Sequence, residues 1–251
     1  MLAAGFVEAN QATTDTSDEY PEAKDHYEAC MLGALARAAS PLAVDALLRQ
    51  PEIWRSSTPS SGERLRPRAR VMNRLLSPPM VVAVGAANVG KSSLVNALAR
   101  RMVSITADEP GTTRDHVGVL LELAGLVVRW IDMPGVRTGA DAADPIELEA
   151  SELAREVALS ADLVVICGDH RSGFLDAEMI GLRRGQLVIR CATRADLSES
   201  TSSDADVITS ATTGAGLTEL ALAIRRVLVP DEQLEINEPW LFDERLLDNP
   251  R

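Results

Sequence analysis

The chain contains 251 residues, of which 46% are apolar, and it carries a formal net charge of −12. This length accommodates one α/β domain of ordinary size and a smaller appendage, so any chemistry is expected to reside in a single domain. The acidic balance argues against a protein whose whole surface binds nucleic acid, because phosphate contacts are made by clustered cations. A local basic patch is still compatible with this charge.

Cysteine usage and the amino terminus together predict a cytoplasmic protein. The cysteines Cys30, Cys167 and Cys191 are an odd number, and the last two lie in apolar runs typical of buried strands. A disulfide framework is therefore not expected. Residues 1–9 lack the features of a signal peptide, and no run approaches the roughly 18 apolar residues that a membrane span needs.

The first 78 residues divide into three segments. Residues 9–22 are polar and acidic, and a disordered tail is predicted over 1–22. Residues 23–54 have apolar positions at helical spacing, which predicts a helical hairpin or helix pair. Residues 55–78 are rich in Arg, Ser, Pro and Gly and are predicted to be a linker. The basic end of this linker is interpreted either as a solvated connector or as a contact for RNA or the ribosome.

Residues 79–229 alternate between short apolar runs and helical segments, which predicts an α/β fold with a doubly wound, mostly parallel six-stranded sheet. Ala124 and Gly125 alone join the second and third strands, so this pair is expected to be an antiparallel hairpin. Strands are predicted at 80–85, 118–123, 126–132, 163–168, 186–191 and 207–210, and helices at 91–102, 146–160, 175–183 and 216–228.

The last segment, 230–251, is an acidic tail that nevertheless contains large apolar side chains. Its apolar residues are Trp240, Leu241, Phe242, Leu246 and Leu247. They favour packing of the tail on the core, with binding to a partner as the alternative.

A complete Walker A sequence follows the first predicted strand and precedes a predicted helix. It reads Gly85-Ala86-Ala87-Asn88-Val89-Gly90-Lys91-Ser92. This context predicts a P-loop NTPase, in which backbone N–H groups and the helix N-terminus surround the phosphates. Lys91 is expected to neutralise the β and γ phosphates, and the Ser92 hydroxyl to bind Mg²⁺. The residues expected to contact the nucleotide in this segment are Gly85, Asn88, Val89, Gly90, Lys91, Ser92 and Ser93.

Two further polar segments complete the predicted phosphate site. Asp132 ends the third strand and is expected to hold Mg²⁺ through water, while the backbone of Gly135 approaches the γ phosphate. Thr112 and Thr113 lie in the loop before the second strand. Thr113 is expected to bind Mg²⁺ when a γ phosphate is present and to release it afterwards, which would make this loop a switch.

The base-recognition residues are predicted at the ends of the fifth and sixth strands. Thr193, Arg194 and Asp196 follow the fifth strand, and Ser210 and Ala211 end the sixth. The carboxylate of Asp196 can accept hydrogen bonds from N1 and N2 of guanine, which adenine does not offer. We therefore predict that the nucleotide is GTP or GDP.

The order and spacing of these motifs resemble the five nucleotide-binding motifs of the TrmE–Era–Der group of bacterial GTPases, over about 150 of the 251 residues. Within this group, Asn88 and the segment 111–115 look most like the tRNA-modification GTPase TrmE, whose G domain uses potassium. The resemblance implies that Asn88 is a K⁺ ligand and that Glu147 is the catalytic glutamate that orients water, with Thr113 and Gly135 as the other switch residues. Implied partners are RNA, the ribosome, a tRNA-modification protein or a second G domain.

The chain departs from the family pattern at the base motif. Thr193 and Arg194 replace the usual Asn-Lys pair, so one amide contact is lost and Arg194 is expected to stack on the base. The printed sequence also shows neither the folate-binding N-terminal domain of TrmE nor its C-terminal cysteine motif. The resemblance therefore implies a GTPase cycle rather than the tRNA-modifying chemistry itself.

Three functions are compatible with these motifs. The first is a switch that hydrolyses GTP, which the presence of Thr113, Gly135 and Glu147 favours. The second is an interaction module that binds guanine nucleotide with negligible turnover, which the altered base motif favours. The third is a P-loop ATPase, against which Asp196 and Ser210-Ala211 count.

Overall fold

The computed structural model describes residues 19–57, 62–101, 104–105, 118–135, 155–197 and 204–247. Within these ranges, seven strands form one sheet in the order β2-β3-β4-β1-β5-β6-β7. They are β1 (Met80–Gly85), β2 (Ser104–Ile105), β3 (Val119–Leu123), β4 (Leu126–Asp132), β5 (Leu163–Gly168), β6 (Val188–Ala192) and β7 (Val207–Ile208). The predicted doubly wound class and its six strands are confirmed, and the two-residue β2 adds a short strand at one edge.

The strand directions agree with the predicted hairpin. β1 pairs in parallel with β4 and β5, and the parallel pairing continues through β6 to β7. β3 runs antiparallel to both β2 and β4. The turn between β3 and β4 has positive φ angles at Ala124 (51°) and Gly125 (85°), as a two-residue hairpin turn with the twist of a sheet requires.

Helices cover both faces of the sheet, and β1 shows why. Val81 and Ala83 belong to one buried apolar cluster, whereas Val82 and Val84 belong to a second one. Successive strand side chains point to opposite faces, so a strand that is apolar at every position needs cover on both. The helices of this domain are α5 (Lys91–Arg101), α6 (described over 155–160), α7 (Ala177–Ile180) and α8 (Leu217–Leu228).

The amino-terminal segment forms three short helices rather than a pair. They are α1 (His26–Arg37), α2 (Pro41–Leu48) and α3 (Gln50–Ser56). The Ser40 hydroxyl accepts a hydrogen bond from the Val127 N–H at 3.0 Å, and the Leu42 N–H donates to the Gly125 oxygen at 3.2 Å. The start of helix α2 therefore rests on the β3–β4 hairpin.

The prediction of a linker over 55–78 is wrong. Residues Gly62–Met72 form helix α4, followed by a 3-10 turn over Asn73–Leu75. Leu65, Ala69 and Met72 are buried on one face of this helix. Leu65, Ala69 and Met72 are four and three residues apart, which is the periodicity of an amphipathic helix. The prediction missed this pattern because the segment is rich in Arg and Pro.

The arginines of this segment bind the carboxyl-terminal tail. Arg68 donates to the backbone oxygens of Gln233 and Ile236, at 3.0 and 3.1 Å, and to that of Glu238. Arg66 forms an ion pair with Glu244 at 3.2 Å. Much of the basic character of this segment is therefore used inside the molecule.

The tail itself packs on the core, as predicted. It forms α9 (Asp231–Glu235) and a 3-10 turn over Glu244–Leu247. Trp240 is 0% exposed, and Leu241, Phe242 and Leu246 are also buried. The Trp240 indole N–H donates to the Asn73 side-chain oxygen at 2.8 Å, and its backbone N–H donates to Gln50 at 2.7 Å.

The first predicted segment is described only at its end. Residues 1–18 of the predicted disordered tail lie outside the described residues. Glu19 lies 3.7 Å from the Arg245 guanidinium, and Tyr20 packs beside Gly33. The predicted disorder therefore does not extend over 19–22. Among the described helices, none combines the length and the apolar character needed to cross a membrane.

We predict that Trp240→Ala destabilises the protein by about 3–5 kcal/mol, because it leaves a cavity where a fully buried indole packs in the core. The free energy of unfolding in urea, followed by circular dichroism, measures this change. Leu48→Ala is the control, because 55% of Leu48 is exposed. Equal stabilities of the two variants would show that the tail does not support the core.

Candidate nucleotide-binding site

The loop between β1 and α5 has the backbone geometry of a phosphate-binding turn. Asn88 has φ 60° and Gly90 has φ 103°, and a Cβ at Gly85 would collide with the backbone oxygen of Cys167. Turns that alternate between the two helical regions can direct successive N–H groups to one side, where they hold anions. Glycine therefore occupies position 85, where there is no space for a Cβ, and position 90, where φ is positive. Asn88 also has a positive φ, which asparagine tolerates better than most residues.

Lys91 is the one lysine near this loop, and its side chain is held inside it. The residue is 6% exposed, and its Nζ donates to the backbone oxygens of Gly85 and Ala86 at 3.2 and 3.0 Å. Burial lowers the pKa of the Lys91 ammonium below its ordinary value, and the negative charge of Asp132 opposes this shift. A phosphate entering the loop would offer this ammonium a full negative charge in place of two carbonyl dipoles.

Ser92 and Asp132, the two described residues predicted at the Mg²⁺ site, lie in direct contact. The Ser92 hydroxyl donates to Oδ2 of Asp132 at 2.5 Å. Hydroxyl and carboxylate oxygens are suitable Mg²⁺ ligands. Among the described residues, no group of three or more His, Cys, Asp or Glu side chains could hold a metal. The Ser92 hydroxyl and the Asp132 carboxylate therefore place two suitable oxygen groups at the position predicted for Mg²⁺.

Gly135 lies directly against the phosphate loop. A Cβ at this position would be 2.7 Å from the Ala87 nitrogen, so a larger residue could not come as close. A cleft of about 430 Å³ opens between the two segments. The predicted residues that line it are Asn88, Gly90, Lys91, Ser92, Ser93, Asp132, Gly135 and Arg194.

The predicted base motif lies beside this cleft. The Thr193 hydroxyl donates to the Val89 oxygen at 2.5 Å, and the Asp196 carboxylate accepts a hydrogen bond from the Ser210 hydroxyl, also at 2.5 Å. This bond from Ser210 lowers the pKa of the exposed Asp196 carboxyl below its ordinary value. Thr193 thus binds the phosphate loop itself, while Asp196 presents an ionised, oriented acceptor.

A second cleft, of about 340 Å³, brings the start of α5 to the loop after β7. Ser93 and Ala211 both line it. At the other end of α5, Arg101 donates to the backbone oxygens of Gly214 and Thr213, at 2.8 and 3.4 Å. Helix α5 therefore touches both the phosphate loop and the predicted base loop.

Sequence reasoning missed two residues that support the site, Arg101 and Asp169. Asp169 follows β5 directly, and its Oδ2 lies 3.2 Å from Nη1 of Arg194. Its position after a buried strand was the available signal, since the same signal identified Asp132. No signal in the sequence pairs Arg101 with a loop more than 100 residues away.

Three predicted site residues, Thr112, Thr113 and Glu147, lie outside the described residues. Their roles remain predictions. The described part of the site therefore contains the phosphate loop, the Ser92–Asp132 pair, the Gly135 segment and the predicted base motif.

Comparison with known proteins agrees with this geometry. Residues 80–193 match the family described as 50S ribosome-binding GTPase. The tRNA modification GTPase MnmE of Acidiphilium cryptum is 36% identical over 221 residues, which are 88% of this chain and 44% of that protein. MnmE of Methylobacterium radiotolerans is 43% identical over 149 residues, which are 58% of this chain and 32% of that protein. The chain thus spans less than half the length of these curated relatives.

Among solved structures, Era in complex with MgGDPNP and nucleotides 1506–1542 of 16S ribosomal RNA is 25% identical, with a TM-score of 0.45. The alignment covers 59% of this chain and 56% of Era. The G domain of the T. maritima FeoB iron transporter is 27% identical, with a TM-score of 0.43, over 59% of this chain and 98% of that domain. The matched family and the MnmE relatives show that the chain has a GTPase domain over residues 80–193, and this similarity is consistent with the predicted resemblance to the TrmE–Era–Der group of GTPases.

Proposed function

We propose that this protein binds Mg·GTP and hydrolyses it to GDP and phosphate, and that the two nucleotide states act as a conformational switch. The single observation that carries the proposal is the cleft in which Lys91, the Ser92–Asp132 pair and Gly135 meet. Each of these groups has a different task in the proposed site. Lys91 supplies positive charge, the Ser92–Asp132 pair binds the metal, and Gly135 contacts the γ phosphate.

In this proposal the chain's own residues bind and orient the nucleotide. Lys91 exchanges its two carbonyl partners for phosphate oxygens, and Asp196 accepts hydrogen bonds from the guanine edge. Bound Mg²⁺, held by Ser92 and Thr113 and through water by Asp132, supplies positive charge at the β and γ phosphates. Glu147 orients the attacking water, and Thr113 and Gly135 respond to the γ phosphate.

The biological setting is also a proposal. The names of the MnmE relatives and of the matched family support a role in tRNA modification or at the ribosome. RNA, a ribosomal surface, a tRNA-modification protein or a second G domain would then be the partner, and the cytoplasm the location. The alternative, an interaction module with negligible turnover, draws on the replaced base motif at Thr193 and Arg194.

A turnover assay with two lysine variants tests the proposed function. Lys91→Ala should reduce GTP affinity by on the order of 10²- to 10⁴-fold, since two charge-assisted hydrogen bonds are each worth roughly 1.5–3 kcal/mol. Lys24→Ala is the matched control, because Lys24 is the only other lysine and its side chain is 81% exposed. Calorimetry measures binding, and phosphate release under single-turnover conditions measures hydrolysis.

Two results would contradict parts of this proposal. Equal GTP affinity of the Lys91 and Lys24 variants would remove the phosphate site. Tight binding by the wild type without phosphate release would favour the interaction module.

Asp196→Asn should reverse part of the base preference. An amide offers one donor and one acceptor, which suit the N1/C2 edge of xanthine, whereas guanine needs two acceptor contacts. We expect affinity for GTP relative to XTP to fall about 100-fold, because mismatched donors leave polar groups unpaired. Ser210→Ala is the comparison variant, since it removes the hydrogen bond that orients Asp196 without changing the acceptors. That variant should weaken GTP and XTP alike, and an unchanged preference in Asp196→Asn would exclude Asp196 as the base reader.

Potassium should activate hydrolysis more than sodium, with Asn88 as a side-chain ligand. The left-handed backbone of Asn88 makes Asn88→Gly the sharper variant, because glycine keeps φ 60° without strain while removing the carboxamide. Turnover is compared in potassium, sodium and caesium chloride at equal ionic strength. We expect the potassium activation to fall at least about tenfold in Asn88→Gly, as for other removed charge-stabilising groups. Arg114, which follows Thr113 in the predicted switch loop, is the competing source of positive charge. Equal wild-type rates in potassium and sodium, with activity lost in Arg114→Ala, would indicate an internal arginine mechanism instead.

A further inference from the structure

Arg194 has an unusual backbone and a fixed side chain. Its φ of 57° is in the left-handed region, which a non-glycine residue adopts at a cost and keeps only where its surroundings hold it. Its Nε lies 3.7 Å from the point that a Cβ on Gly90 would occupy, so the side chain extends back over the phosphate loop. It also lines the cleft that contains Lys91.

Asp169 holds the other end of this side chain. Its Oδ2 lies 3.2 Å from Nη1 of Arg194. Its Oδ1 has a different task, because it accepts the N–H groups of Arg171 and Ser172 at 3.0 and 2.9 Å and the Ser172 hydroxyl at 2.7 Å. Burial by itself would raise the pKa of Asp169, but the hydrogen bonds from Ser172 and Arg171 hold it below its ordinary value. One carboxylate oxygen therefore forms the turn after β5, and the other binds the guanidinium.

Arg194 lies between the two ends of the proposed nucleotide site. The preceding residue, Thr193, donates to the Val89 oxygen of the phosphate loop, and Asp196, the proposed reader of the guanine edge, follows two residues after Arg194. The ion pair with Asp169 uses Nη1, at the edge of the guanidinium, whereas stacking on an aromatic ring uses its flat face, and a guanidinium stacks better than an ammonium does. Arg194 keeps 37% of its side chain exposed.

We propose that Asp169 is a positioning residue that holds the Arg194 guanidinium flat over the purine ring of the bound guanine nucleotide. This inference rests on the proposed function and adds a residue to its base site. Arginine at position 194 then requires an anchoring acid, because without one its long side chain would have to be ordered by the ligand itself. Asp169 and Arg194 would thus act as one unit that raises the affinity for the nucleotide.

A double-mutant cycle tests the pair, with GDP affinity measured by calorimetry and GDP release by stopped flow. Arg194→Ala should weaken GDP binding about tenfold, within the range of a partly desolvated cation–π contact. Asp169→Asn keeps an oxygen for the turn but removes the charge at Oδ2, and it should reproduce about half of that loss on a logarithmic scale. The double variant should bind no more weakly than Arg194→Ala alone, and Asp169→Glu should restore part of the affinity.

Ser172→Ala is the matched control, because it removes a contact of Oδ1 and leaves Oδ2 with Arg194. It should lower thermal stability at least as much as Asp169→Asn does, while GDP affinity stays at the wild-type value. Additive losses in the cycle, or wild-type affinity in Asp169→Asn, would overturn the inference and leave the proposed function standing. If the wild type binds neither GTP nor GDP in the presence of Mg²⁺, both proposals fail.

Discussion

Parallel pairing of β1 with both of its neighbours determines where the phosphate loop, Asp132 and Asp169 lie relative to one another. Ala83 pairs with Asp132 of β4, and Gly85 pairs with Cys167 of β5, so all three strands end at the same edge. Residues placed just after these ends must meet, whatever their distance along the chain. Gly85 is essential to this arrangement, since any side chain there would collide with the Cys167 oxygen and separate β1 from β5.

How much the sequence predicts depends on whether a contact is local. The phosphate loop could be found because its glycines and Lys91 perform their tasks within eight residues of chain. The strands β1, β4 and β5 have the predicted bounds because each is a mainly apolar run between turns, with Arg129 and the terminal Asp132 as the charged residues of β4. Contacts such as Arg101 with Gly214 could not be found, because they join exposed polar groups from distant segments, and neither sequence nor periodicity specifies such a pair.

The segment around α4 shows how composition can mislead. Arginines beside proline and serine suggested a connector, and its basic end was also interpreted as a possible nucleic-acid contact. In the structure Arg68 binds three backbone oxygens of the tail, and Arg74 binds the Leu228 oxygen at 2.8 Å and Asp162 at 3.4 Å. Polar groups of an irregular tail need partners when they are covered, and arginine supplies several donors at once. Only Arg64 and Arg70 in this helix remain as exposed arginines without a described partner, which is a small basic surface.

Helix α5 connects the phosphate end of the site to the loop after β7. It begins at Lys91 and Ser92, which face the phosphates, and it ends at Arg101, which holds the loop after β7. Eleven residues of α-helix span about 16 Å, so the phosphate end and the base loop are joined by a rigid element as well as by the sheet. Thr193 adds a shorter connection, because its hydroxyl donates to the Val89 oxygen and so ties the phosphate loop to the segment after β6 that contains Asp196. Thr193, in place of the family's asparagine, therefore connects the base motif to the phosphate loop. The replacement expected to affect contact with the base is Arg194, in place of the family's lysine.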